Sequence, residues 1–327
     1  MKLSVVIPNY NNSNYLRETI ESALKILPAR LGEIIFVDDC STDDSFYIAQ
    51  EYKKVIKIYQ NEKNLGQEVT TNKGLELASG EYCVILHSDD ILHPNFYTDL
   101  SKLVECYPAA VMAVGERVEI NAEGDVFYSP PPFYDGDYWI PGLEQAKVFL
   151  LSGFLPCQVM FKREVVLSFG GAKIFFNVNL DGLLWFKAAL NGDVLYTQKP
   201  VCSYRRHNAS TTSGLNKSIT HLFEYYCTLK EMFNYAQSLG VDFENKRHGA
   251  FNRISELALR YAKEIYITND ISLCKRYLML AEVINPNIRE TSMFRDLENT
   301  INNGGGGMPD VFIRKVSYCA PPGSEKI

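Results

Sequence analysis

Apolar runs and helical periodicities alternate from the first residues of the chain. Residues 2–7 form a β-branched run stopped by Pro8, and the turn-rich stretch Asn9-Tyr10-Asn11-Asn12-Ser13 follows. Tyr15, Leu16, Ile20, Ala23, Leu24 and Leu27 then recur on one side of a predicted helix. A second run, 33–37, ends in Asp38-Asp39-Cys40-Ser41-Thr42-Asp43-Asp44-Ser45, with a helix over 46–52 beyond it. A third, 55–59, leads through Asn61-Glu62-Lys63-Asn64-Leu65-Gly66 into a helix over 67–78 that Ser79-Gly80 stops. The fourth, 82–86, runs on to two adjacent carboxylates, Asp89 and Asp90. This alternation predicts an α/β fold: a mostly parallel, Rossmann-like sheet flanked by helices. Its strand ends at Pro8, Asp38 and Asp89 should line one edge, where open α/β sheets bind ligands.

The pattern changes after Phe96. A helix over 95–107, a strand over 110–120 and a turn into 125–128 precede the break at Ser129-Pro130-Pro131-Pro132. Tyr134, Tyr138 and Trp139 lie in the loop that follows, as packing or as the wall of a ligand cleft. Strand 158–161, helix 162–169, helix 180–190, and strands 194–196 and 201–204 come next. From Ser218 onward the chain reads as an all-helical extension, with Leu222, Tyr226, Leu229, Phe233 and Ala236 setting the first of several amphipathic stripes. Three domains are expected: 1–215, the helical extension 216–302, and a Gly-rich linker and loosely attached tail, 303–327.

Composition narrows the class. The 327 residues are 46% hydrophobic and 22% charged, as in globular proteins, and the net charge of -6 argues against a nucleic-acid partner. The eight cysteines show neither Cys-x-x-Cys nor zinc spacing with histidine, so free, mostly buried thiols in a reducing compartment are expected. No signal peptide and no membrane-spanning run is read, which suggests a cytoplasmic protein, peripheral at the inner face of the membrane if its C-terminal helices touch lipid. Those helices could equally pair subunits.

Candidate chemistry gathers at the predicted sheet edge. Adjacent acids on a turn repel unless something positive joins them, and a hard divalent cation suits carboxylate oxygens. The plain alternative is a solvated turn in which one acid caps the next helix. No Gly-x-Gly-x-x-Gly follows the first strand, which disfavours a nicotinamide dehydrogenase. The loop after that strand also lacks the glycines and cation that a nucleotidyltransferase needs.

Taken in order, the motifs resemble the family 2 glycosyltransferases with the GT-A fold, from Leu3 to about Ser213. The resemblance is carried by Ser4-Val5-Val6-Ile7-Pro8-Asn9-Tyr10-Asn11, Val37-Asp38-Asp39-Cys40-Ser41-Thr42-Asp43, Asn64-Leu65-Gly66 with Asn72-Lys73-Gly74, and Ala78-Ser79-Gly80-Glu81-Tyr82 leading to Asp89-Asp90. It implies an inverting enzyme that moves a sugar from a nucleotide donor, preferentially a UDP-sugar, to a glycan, lipid-linked or protein acceptor, in surface polysaccharide or glycan synthesis. Pro8, Tyr10, Asn11 and Asp39 match positions that hold base and ribose, and Asn64, Gly66 and Asn72 the third block of the donor site. Asp90 matches the direct ligand of a Mn or Mg ion, and Asp89 its partner near ribose or metal. The family's fuller motif is Asp-x-Asp, whereas here His87 and Ser88 precede the acid pair. Asp181 matches the catalytic base, with helix capping as its plain alternative, and Tyr204-Arg205-Arg206-His207 resembles a late loop whose Arg206 and His207 contact the diphosphate. The missing first acid keeps a second reading open, a non-catalytic nucleotide-binding or scaffold protein.

Overall fold

The computed structural model describes residues 1–27, 32–172, 180–207, 218–267, 270–303 and 317–327. The chain divides into two compact units, Met1–Arg206 with Arg314–Ile327, and His207–Ile313.

In the first unit, β1 (Leu3–Asn9), β2 (Gly32–Asp38), β3 (Lys57–Gln60) and β4 (Tyr82–Ile85) run parallel in the order β3-β2-β1-β4. The register pairs Asn9 with Asp38 and Val6 with Ile85, so the carboxyl ends fall along one edge. β1 is buried along its whole length, which explains why it reads as an unbroken apolar run rather than an alternating one. Helices α1 (Ser13–Ile26), α2 (Ser45–Glu51) and α3 (Gln67–Leu77) make the crossovers. α1 turns Leu16, Ile20, Ala23 and Ile26 into the core. α3 comes so close to β1 that a Cβ on Gly74 would lie 2.3 Å from Val6 Cγ1.

Beyond β4 the sheet becomes mixed. β5 (Ile91–Leu92), β6 (Met112–Ile120), β7 (Val126–Tyr128), β8 (Tyr138–Ile140), β9 (Val159–Lys162) and β10 (Val194–Arg205) follow in sequence. β9 lies between β4 and β6 and is antiparallel to both, while β6 and β10 are parallel. The two strands expected at 194–196 and 201–204 are one, continued through register shifts between Tyr196 and Cys202. Helices α4 (Phe96–Cys106), α5 (Gly142–Phe149), α6 (Arg163–Ser168) and α7 (Leu180–Ala189) complete the unit.

The C-terminal residues, read from sequence as a loose tail, return to this sheet. β11 (Glu325–Lys326) pairs with β8, and the Tyr318 amide donates to the Phe133 carbonyl at 2.8 Å. The second unit is helical as expected, with α8 (Thr220–Ser238), α9 (Glu244–Ile267), α10 (Ile271–Ile284) and α11 (Ser292–Asn303). Its core takes in Leu222, Leu229, Phe233, Ile254, Ala258, Ile265 and Tyr277, the residues that carried the helical periodicity. No described helix is long and apolar enough to cross a membrane. All eight cysteines are free, and Cys83, Cys157, Cys202 and Cys274 are buried.

Candidate active site

The edge formed by the carboxyl ends of β1, β2, β3 and β4 is laced by side chains that leave few of its loops independent. Asn11 stands at φ 53°, where a short amide side chain is tolerated. Its amide donates to Ser41 Oγ at 3.0 Å and its Oδ1 accepts from the Thr42 amide at 2.8 Å, so the loops after β1 and β2 are one piece. Cys40 holds φ 62° in the same bend. Asp38 is filled by Asn9, Ser41 and Gln60 and belongs to the scaffold. Asp39 accepts from Asn61 Nδ2 at 2.8 Å, from the Leu65 amide at 2.9 Å and from the Gly66 amide at 2.8 Å. Gly66 takes φ 92°, which only glycine adopts readily, and Asn64 closes the turn through the same amide.

The expected nucleotide contacts therefore divide. Tyr10 is 47% exposed and offers a free ring face, while Pro8 is buried in the strand. Asp39, with its three protein donors and 3% exposure, fastens the β3 loop against the β2 loop. Asn72 is engaged by a segment remote in sequence. Its Nδ2 donates to the Ala172 carbonyl at 2.9 Å and its Oδ1 accepts the Ala172 amide at 2.7 Å, so both ends of the amide pin the backbone ahead of α7. The residues between, 173–179, lie outside the described residues.

The acid turn after β4 separates its two carboxylates. Asp90 is 1% exposed; its Oδ1 accepts from the Arg205 amide at 3.0 Å and its carbonyl from Thr19 Oγ1 at 2.8 Å. Burial, and after it the charge of Asp89, raises the Asp90 pKa well above the carboxylate range, and the Arg205 amide and Cys157 thiol offset this only in part. Asp90, expected as the direct metal ligand, has one carboxylate oxygen engaged by the Arg205 amide inside the protein. Asp89 is partly exposed. It offers a more accessible carboxylate oxygen than Asp90 does. Among the described residues no three His, Cys, Asp or Glu side chains gather as a ready-made cage. One carboxylate suits an ion of the Mg type, which keeps waters and takes its remaining ligands from substrate phosphates.

His87, at the position of the missing first acid, is also partly exposed and lies 2.9 Å from Gln67 across a ring-nitrogen contact. Asn12 Nδ2 donates to Ser88 Oγ at 3.0 Å and binds the turn to the start of α1. Asp181 stands in the first turn of α7, partly buried. Loss of water raises its pKa above the ordinary value, and the positive charge of His87 pulls it back. His87 belongs to the acid turn, so this electrostatic influence on Asp181 comes from a segment far away in sequence. Trp185, one turn on, is buried and donates from Nε1 to the Phe154 carbonyl at 3.0 Å, which fixes the helix.

The late cations behave unequally. Arg206 is exposed and reaches Glu119 at 3.2 Å, while its neighbour Arg205 is 1% exposed and spends its guanidinium inside the protein. His207 opens the second unit, and 208–217 lie outside the described residues. Gln67, His87 and Arg205 were missed from sequence as site residues. A polar residue opening a helix, a histidine in place of an acid and one of two adjacent arginines carry no pattern that says which way they face.

With this geometry in view, the likeness to known proteins is specific. The family model described as Glycosyl transferase family 2 matches residues 4–168. The glycosyltransferase GlyA of Streptococcus pneumoniae is 33% identical over 297 residues, covering 87% of this chain and 41% of that protein. The putative teichuronic acid biosynthesis glycosyltransferase TuaG of Bacillus subtilis is 42% identical over 91 residues, covering 27% of this chain and 36% of that protein. The chain thus spans less than half the length of either relative. The crystal structure of Staphylococcus aureus TarS 1-349 in complex with UDP-GlcNAc superposes with a TM-score of 0.58 at 19% identity, covering 99% of this chain and 98% of that one.

Proposed function

The chain belongs to glycosyl transferase family 2 and has its GT-A fold, and from that we propose that it transfers a sugar from a UDP-sugar to a glycan hydroxyl with inversion at the anomeric carbon. The observation that carries the reading is the carboxyl edge of the sheet, along which lie the exposed Tyr10 ring, the loops joined through Asn11 and Asp39, and the partly exposed Asp89 of the acid turn.

In this reading the Tyr10 ring stacks on the uracil, and the joined loops bearing Asn11, Asp39, Asn64 and Gly66 frame the base and ribose. Asp89 holds a Mn or Mg ion, which when bound neutralises the departing diphosphate as a Lewis acid. Arg206 adds charge at the same end. Asp181 takes the proton of the acceptor hydroxyl, whose oxygen attacks from the face opposite the diphosphate. Its raised pKa suits a base that must accept a proton near neutral pH. UDP-GlcNAc is the first donor to try, because the TarS neighbour was solved with it. The acceptor is a polysaccharide or a related polymer, as the name of TuaG suggests. A cytoplasmic enzyme, touching a membrane or a second copy through α8–α11, is consistent with this assignment.

A thermal-shift screen of UDP-sugars with and without Mn tests the proposal. A donor that raises the melting temperature more with Mn than without it supports the enzyme. A scaffold protein gives no Mn-dependent shift with any nucleoside diphosphate.

A further inference from the structure

Arg205 is the last residue of β10 and the most heavily committed cation in the first unit. Its Nε donates to the Asp89 carbonyl at 2.9 Å, and its Nη1 to the Asn121 and Ala122 carbonyls at 3.1 Å each. Nη2 meets the Glu18 carboxylate on α1 at 2.5 Å, and the guanidinium carbon stands 4.8 Å from the centroid of the Tyr15 ring. The backbone joins in, because the Arg205 amide donates to Asp90 Oδ1. One residue therefore grips the acid turn twice, at the carbonyl of Asp89 and at the carboxyl of Asp90, and anchors it to α1 and to the turn after β6.

Thr19 of α1 and Asn12 just before that helix also hold the turn, at the Asp90 carbonyl and at Ser88 Oγ. The residues just after it, Ile91 and Leu92, pair with Ser203 and Cys202 of the same strand, so β10 holds both the turn and its exit. A guanidinium buried to 1% exposure is costly to desolvate. Four of its five N–H groups find acceptors here, in the planar fork that only arginine supplies.

We propose that Arg205 is a positioning residue for the transfer reaction: it fixes the peptide plane of Asp89 and so aims the Asp89 carboxylate at the ion and diphosphate of the donor. This rests on the reading of Asp89 as the ion-binding acid. Arg205 itself does not touch substrate; Arg206, next in the chain and exposed, is the cation left for phosphate. Residues that orient a metal ligand typically change metal affinity by about 10–100-fold when altered.

Isothermal titration of UDP with and without Mn, on folded wild type, Arg205→Lys and Arg205→Gln, tests this directly. The expected result is that Mn strengthens UDP binding in wild type, and that this gain falls by about tenfold or more in both variants, less in Arg205→Lys. Binding of uridine, which has no phosphate, stays unchanged. Turnover with Arg205→Lys then loses kcat with the acceptor KM unaltered, and raising Mn restores part of it. Variants that melt cooperatively and keep the full Mn-dependent gain overturn the proposal. Should the Arg205 variants fail to fold, Glu18→Gln, at a more exposed carboxylate, takes their place: a weaker Mn-dependent gain supports the proposal and an unchanged one overturns it. Asp89→Ala separates the premises. If it keeps the wild-type gain, the ion-binding reading fails and this inference with it; if it loses the gain while Arg205→Lys does not, only the positioning role fails.

Discussion

Asp89 and Asp90 are identical in chemistry and adjacent in sequence, and their surroundings differ, Asp89 being partly exposed and Asp90 buried. Asp90 accepts from a backbone amide, and burial raises its pKa in the direction that favours the neutral acid, so an amide can replace it. Asp90→Asn should retain activity within about threefold, whereas Asp89→Asn should lose about 100-fold, as measured by UDP release from the donor. The sign for stability follows from the raised Asp90 pKa: its neutral form favours the fold, and that contribution is lost as pH rises above the ordinary 3.8 and through the raised value. Asp90→Asn should flatten this part of the melting-temperature profile. Asp181 obeys the same electrostatics for catalysis. A base works when deprotonated, so kcat should rise with pH through a limb above the ordinary carboxylate range, and His87→Gln, which removes the charge that lowers the Asp181 pKa, should move that limb to higher pH. The sequence made the acid pair and Asp181 visible as candidates. It could not say which acid faces inward, because a turn has no periodicity to assign sides, and it offered no reason to pick Arg205 over Arg206.

At the scale of elements, the parallel half of the sheet was the most legible, since buried parallel strands read as apolar runs and their crossovers as helical stripes. β8, β5 and β11 were not, each being two or three residues whose pairing comes from distant partners. The opposite edge of the sheet carries its own check. Glu33 is partly desolvated, but Lys57, Ser79 and Ser4 more than compensate and bring its pKa down to about 2 from the ordinary 4.5. A depressed acid contributes stability above its unfolded pKa and loses it as pH falls toward its folded one. Glu33→Gln should therefore cost up to about 3 kcal/mol at neutral pH, measured by urea unfolding, and the loss should shrink between pH 4.5 and 2. Gly74→Val should destabilise by about 3 kcal/mol or prevent folding, because a Cβ there already meets Val6 of β1. The return of 317–327 to the sheet had no signal in composition, since a Gly-rich approach reads as a linker whatever follows it.

For the whole molecule, five segments far apart in sequence lie along the carboxyl edge of one sheet, the loops after β1, β2 and β3, the acid turn and the end of β10, and Asp181 at the start of α7 feels the charge of the acid turn's His87. Sequence order supplied four of these segments through the strand–helix alternation, and family resemblance supplied the end of β10 and Asp181, whose placement depends on antiparallel strands that alternation does not predict. The central claim is a division of labour, with donor binding at the acid turn and proton removal at Asp181. The most direct test is the rate of UDP release by Asp181→Asn at saturating donor, with the UDP-sugar that gives the largest Mn-dependent thermal shift. The account predicts donor affinity equal to wild type and release slowed by about 10³-fold. Release within threefold of wild type, or a loss of donor affinity that accounts for the slowing, contradicts it.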